Sequence, residues 1–95
     1  MAVTRAQRDE AYENASIAVQ RLCNDPESGH QLFAIAKRHD IAAYDRTYRA
    51  YALAVGDVAL GFYSERELPE LLIENAGLDH DTAQAIADDL HDFFA

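Results

Sequence analysis

The chain has 95 residues, 49% of them hydrophobic, and a formal net charge of −9. This hydrophobic fraction excludes an acidic disordered tail, and the length predicts a single domain over residues 1–95. All of the net charge lies in the second half: residues 1–49 hold seven Lys or Arg against seven Asp or Glu, whereas residues 50–95 hold Arg66 alone against ten acids. Because phosphate binding requires a basic footprint, we expect no direct binding of nucleic acid.

The cellular compartment is predicted from cysteine usage and from the N-terminal sequence. Cys23 is the only cysteine, which excludes an internal disulfide and fits a reducing compartment. The first four residues lead into charged residues with no apolar stretch, so no signal peptide is expected and we predict a cytoplasmic protein. The least polar stretch, 50–64, contains Asp57 and is too short to cross a bilayer, so we expect no membrane partner.

Two helices are predicted in the first forty residues. A capping box at residues 4–7 is followed by apolar residues at steps of three and four, which predicts one helix over 5–23. Asp25 is a suitable N-cap, and Pro26 fits the first helical position because its missing N–H costs nothing there. The second helix is therefore predicted over 26–38.

A third helix is predicted to begin at Ile41 or Ala42 and to be closed by Gly61. Tyrosine and valine recur at steps of four and three along it, which is the pattern of an amphipathic helix. The members of this seam are Tyr44, Tyr48, Tyr51, Val55 and Val58. Arg46 and Arg49 lie between the tyrosines, and such surfaces can stack nucleic-acid bases. The tyrosines lie on the apolar seam, however, so we predict that they pack in the core.

A proline divides the next segment. A second capping box at 64–67 and the nearby Pro69 predict a short turn over 65–68, followed by a helix over 69–76 that stops at Gly77.

The last helix is predicted to start at the N-cap Asp79 and to carry one regular apolar stripe. The fold class is therefore all-α, a compact bundle of about five short helices, for which a death-fold-like arrangement is one option. Because the chain has no Trp, we expect its core to depend on Tyr, Leu and the late phenylalanines Phe62, Phe93 and Phe94.

Apolar spacing and two glycines over residues 55–93 resemble the C-terminal part of small all-helical proteins encoded by reduced-genome bacteria. The positions that carry the resemblance are Val55, Gly56, Asp57, Val58, Gly61, Phe62, Glu67, Leu68, Pro69, Leu71, Leu72, Gly77, Leu78, Ala83, Ile86, Ala87, Asp89, Leu90 and Phe93. The resemblance implies a helical fold and brings no function with it. In size, the chain is also similar to the helical adaptors of the death-fold class.

Asp57 stands inside an apolar segment, where a buried and unpaired charge would be costly. The adjacent Gly56 costs about 1 kcal/mol relative to Ala in a helix interior. One interpretation is that another helix or a partner approaches closely here and that a cation pairs with Asp57. The other is that Asp57 faces water, away from Val55 and Val58. The sequence favours the second interpretation.

The acids of the last two helices form the candidate binding surface. They are Glu67, Glu70, Glu74, Asp81, Asp88, Asp89 and Asp92. Complementary charge mainly raises association rates and selects partners, which predicts a non-enzymatic adaptor or inhibitor that contacts a basic protein surface. The same charges could serve only to keep the protein soluble.

Two alternatives remain open. A helical subunit could form homo-oligomers through an apolar face around Tyr63, Leu72 and Phe93–Phe94. A small metal-binding protein could use imidazole and carboxylate groups of the last helix, where Asp88, His91 and Asp92 lie within one turn. That helix lacks the HExxH arrangement and a third strong ligand, so we predict no metal site. No nucleophile–base pattern or phosphate-binding loop is found, and we predict no catalytic residue and no cofactor.

Overall fold

Six α-helices and one short 3₁₀ helix are formed by the residues that the computed structural model describes, 3–41 and 46–94. These residues contain no β-strand, so the predicted all-α class is confirmed. The α-helices are α1 (Arg5–Glu13), α2 (Ile17–Asn24), α3 (Pro26–Arg38), α4 (Arg46–Ala59), α5 (Leu68–Ala76) and α6 (His80–Phe94), and the 3₁₀ helix is Glu65–Glu67.

The single helix predicted over 5–23 is two helices, α1 and α2, so the predicted count of about five is not confirmed. The Ser16 hydroxyl accepts a hydrogen bond of 3.2 Å from the backbone N–H of Val19, which makes Ser16 the N-cap of α2. Asn14 ends α1, and its side chain donates to the carbonyl oxygen of Glu10. Both side chains offer the backbone local partners that compete with a continuous helix, although the apolar periodicity runs across this break.

The predicted starts of α3 and α6 are confirmed, and each rests on a local cap. The Asp25 carboxylate accepts from the N–H of Glu27 at 2.9 Å and begins α3, with Pro26 in its first turn. The Asp79 carboxylate accepts from the N–H of Thr82 at 2.7 Å and begins α6. That hydrogen bond lowers the pKa of Asp79.

Helix α4 corresponds to the third predicted helix. Its predicted start at Ala42 and the seam residue Tyr44 lie outside the described residues, and Ile41 is buried but not helical. The helix ends before Gly61, whose φ of +89° is readily adopted by glycine and rarely by other residues. Tyr51 is fully buried, which confirms its prediction as a core residue.

The core lies where α5 packs against both α4 and α6, and α3 covers α6. Its largest fully buried side chains are Tyr51, Val55, Leu68, Leu72, Ile86 and Leu90. Of the predicted phenylalanines, Phe93 and Phe94 pack against the core, and all three, Phe62 included, are only partly buried. Neither α1 nor α2 contributes a buried residue. The Cα radius of gyration, 12.5 Å, fits a compact chain of this length.

Candidate functional site

Three acids share the outward side of α6. The inward side is formed by Ala83, Ile86, Ala87 and Leu90, all buried. Asp81, Asp88 and Asp92 are exposed and follow one another at steps of seven and four, which places them on a common side of the helix. We call these three residues the acidic face. Within residues 3–41 and 46–94, none of their carboxylates forms an ion pair with Lys or Arg.

A groove of about 610 Å³ adjoins the acidic face between α6 and the 3₁₀ helix. It brings Asp88 close to Glu65, which the sequence did not single out as a binding residue. His91 also lines this groove, and its Nδ1 lies 3.1 Å from Oε1 of Glu65. Arg66, the only Lys or Arg of residues 50–95, lines the same groove as Glu65 and Asp88.

The three glutamates predicted for the binding surface, Glu67, Glu70 and Glu74, lie in different surroundings. Glu67 closes the predicted capping box, because its carboxylate accepts from the backbone N–H of Ser64 at 3.0 Å. Glu70 is exposed on α5. Glu74 is also exposed but lines a separate cleft, between α4 and α5. The structure therefore does not gather the predicted acids into one patch.

Asp89 is bound within the protein. Its carboxylate lies 2.7 Å from Nε2 of His39 and 3.8 Å from a guanidinium nitrogen of Arg38. Both partners belong to the end of α3, so Asp89 joins α3 to α6 and is less available than the acidic face. Asp89 and Asp92 also line a shallow depression of about 250 Å³ beside α3.

The geometry gives little support to the two alternatives, a metal site on α6 and self-assembly through an apolar face. Among the described residues, no group of three His, Cys, Asp or Glu side chains is arranged to hold a metal ion, and His91 faces Glu65 instead. Leu72 is completely buried, so the apolar face suggested for self-assembly is not available as a whole. Within residues 3–41 and 46–94, the exposed large apolar side chains are those of Ile17, Phe33 and Leu53, on three different helices.

Asp57 is buried and paired, which corrects the favoured interpretation that it faces water. Only 6% of the residue is exposed. Its two carboxylate oxygens accept from Nε and Nη2 of Arg8, at 2.7 and 3.0 Å. The cation predicted by the other interpretation therefore comes from the chain itself, from α1. The hydrogen bond to Asp57 raises the pKa of Arg8, which stays charged.

The Arg8–Asp57 pair lines a cleft of about 530 Å³ between α4 and α5. Its walls include Leu53, Tyr63 and Leu71, and Glu74 stands at the same cleft. We call this the Asp57 cleft. Arg8 was not a candidate in the sequence, because nothing local links a residue of the first helix to an acid 49 positions later.

A second cleft, of about 440 Å³, has a mainly apolar lining that includes Leu32, Val55 and Phe93. Gly56 also lines it, and a Cβ added there would meet no atom within 4 Å. No other helix of the described chain therefore approaches Gly56 closely, which contradicts the close approach that the less favoured interpretation contained. Cys23 lies at this cleft, and desolvation raises the pKa of its thiol.

No family model matches the chain, and the searches of curated proteins and of solved structures give no match. Among the described residues, no helix has both the length and the apolar character needed to cross a membrane. The case for function therefore rests on the acidic face and the Asp57 cleft.

Proposed function

We propose that this protein is a non-enzymatic binding module that presents the acidic face of α6 to a basic protein surface. One observation carries the proposal: Asp81, Asp88 and Asp92 are exposed together and lack a Lys or Arg partner within the described residues. The opposite side of α6 is anchored in the core, so the carboxylates stand on a fixed scaffold. Such preorganisation reduces the entropy lost on binding.

The charge distribution supports a basic partner. Helix α6 itself carries four aspartates and no Lys or Arg, so its outward side is predominantly negative. A field of one sign steers oppositely charged molecules toward the surface. An adaptor or an inhibitor of a basic protein fits this chemistry, and a death-fold-like arrangement and a cytoplasmic location would suit either role.

The test compares two variants with the same change of charge. Asp81→Asn, Asp88→Asn and Asp92→Asn together remove three charges from the acidic face. Asp9→Asn, Glu10→Gln and Glu13→Gln remove three from α1, where these residues are also exposed. Calorimetric titration with a lysine-rich peptide should show that the first variant loses about tenfold in affinity and the second much less.

Salt provides the second arm of this test. Affinity for the wild-type chain should fall steeply between about 50 and 300 mM NaCl, because exposed charges are screened over that range. The proposal fails if the two triple variants lose affinity equally, since the peptide would then sense net charge alone. It also fails if the wild-type affinity does not change with salt.

A further inference from the structure

We propose that the Asp57 cleft is a binding site for an arginine on a helix of a partner protein, and that α1 occupies this site as an internal stand-in. The site shares no residue with the acidic face, so the inference goes beyond the proposed function. It rests on three observations: how lightly α1 is held, how Asp57 binds Arg8, and how much of the cleft stays open.

Helix α1 is attached mainly through polar contacts. It has nine residues and none of them is buried. Among the described elements, it makes no extensive contact with any other helix. Arg8 joins α1 to α4. Two hydrogen bonds join α1 to α2: Gln20 donates to the carbonyl oxygen of Tyr12, and Asn24 donates to its hydroxyl oxygen. A helix this short is marginal by itself in water, so its position depends on these few contacts.

Asp57, in contrast, belongs to the rigid part of the bundle. It lies on α4 beside the fully or almost fully buried Val55 and Ala54. A carboxylate buried to this degree requires a cation, because an unpaired charge there is strongly unfavourable. Arg8 satisfies it through two parallel N–H···O bonds, a fork that guanidinium offers and the lysine ammonium does not.

The side chains of α1 and of the residues before it do not fill the Asp57 cleft. Among the described residues before α2, Val3 and Arg8 alone line the cleft, whose volume is about 530 Å³. Leu53 lines this cleft and is 45% exposed, so it offers apolar surface that a partner could cover. A partner helix with an arginine and an apolar residue one turn away would form the same ion pair and also cover Leu53.

The experiment supplies α1 as a separate molecule. The probe is a capped peptide with the sequence of residues 3–15, and the receptor is the full chain with Arg8→Gln, which frees Asp57. Titration calorimetry should detect binding to this variant and at least about tenfold weaker binding to the wild-type chain, whose own Arg8 competes. Replacing Arg8 by Gln in the peptide, or adding Asp57→Asn to the receptor, should each weaken binding by at least about tenfold.

Two controls separate this site from its surroundings. The control Arg5→Gln changes the same helix but leaves Arg8 in place, so this variant should bind the peptide as weakly as the wild-type chain does. The triple variant of the acidic face, combined with Arg8→Gln, should bind the peptide within about twofold of Arg8→Gln alone. Loss of binding in that combined variant, or equal binding with and without Asp57→Asn, would overturn the proposal, whereas a failure of the lysine-peptide test would not.

Hydrogen exchange on the wild-type chain keeps the proposal testable if Arg8→Gln does not fold. The backbone amides of α1 from Arg8 onward should exchange through a local opening, with protection at least about a hundredfold below that of the α6 core amides. Exchange of α1 only together with global unfolding would mean that α1 cannot be displaced, and the proposal would then be wrong.

Discussion

The hydroxyl of Tyr51 donates a hydrogen bond of 2.9 Å to the backbone carbonyl oxygen of Leu32, and thereby ties α4 to the middle of α3. The ring of Tyr51 is completely buried, and Tyr48 packs against it edge to face, with ring centroids 5.7 Å apart. A single side chain therefore supplies both apolar packing and a polar link between the two helices.

Tyr51→Phe should lower the free energy of unfolding by about 1 kcal/mol, because it removes one buried neutral hydrogen bond and keeps the ring. Urea denaturation followed by circular dichroism measures this change. Tyr48→Phe is the matched control: this tyrosine is only partly buried, and its change should stay within about 0.5 kcal/mol. An equal loss in both variants would mean that the Tyr51 hydroxyl has no special role.

Stability should fall at alkaline pH. Burial raises the pKa of Tyr51, and in the unfolded chain a tyrosine titrates near about 10. Above that pH the unfolded state releases a proton that the folded state retains, so the free energy of unfolding decreases by about 1.4 kcal/mol per pH unit for this group. Urea denaturation between about pH 8 and 11 should show a shallower decrease for Tyr51→Phe than for the wild type. Parallel curves would contradict the assignment.

Two glycines should respond to alanine in opposite directions. Gly77 has a φ of +69° after α5, so Gly77→Ala should destabilise by about 1 kcal/mol. Gly56 lies inside α4, and Gly56→Ala should stabilise by about 1 kcal/mol through helix propensity. An added Cβ meets no atom within 4 Å at either position, so packing does not obscure the comparison. Thermal unfolding of the two variants measures both signs, and a stabilising Gly77→Ala would be inconsistent with the left-handed conformation.

Ile86 and Ile17 allow the same substitution at opposite degrees of burial. Ile86 is fully buried, whereas Ile17 is 69% exposed. Ile86→Ala should lower the free energy of unfolding by about 2–5 kcal/mol, because it removes apolar contacts and leaves a cavity. Ile17→Ala should change it by less than about 0.5 kcal/mol. Denaturant titration tests the pair, and a large loss for Ile17→Ala would indicate that this surface is covered in solution.

Ser16→Ala should destabilise the protein by about 1 kcal/mol, because the N–H of Val19 loses its side-chain acceptor. Ser16→Asp should restore most of that loss, since aspartate caps a helix as well as serine does. Both changes are measured by urea denaturation. If neither variant differs from the wild type, the break between α1 and α2 does not depend on this cap.

Most helix boundaries could be predicted because the groups that form them are neighbours in the chain. Asp25, Ser64 and Asp79 each interact with a backbone or side-chain group two or three positions away. Ser16 uses the same chemistry, but apolar residues continue at helical spacing on both sides of it, and that spacing predicts one continuous helix.

The pairings that shape the candidate sites could not be predicted. Arg8 and Asp57 are 49 positions apart, and His39 and Asp89 are 50 apart, so each pair exists only once the helices are packed. The sequence alone does not distinguish Asp88 from Asp89, because they are adjacent aspartates in the same helix. One residue along a helix is a rotation of about 100°, which leaves Asp88 at the exposed face and turns Asp89 toward α3.

The pairing of Arg8 with Asp57 also determines when α1 can reach its final position during synthesis. A ribosome adds about 5–20 residues per second, so Arg8 is complete for several seconds before Asp57 is made, 49 residues later. The contacts among α4, α5 and α6 join successive helices, and local contacts of this kind form rapidly. We therefore expect the first helix of the chain to be the last to reach its place.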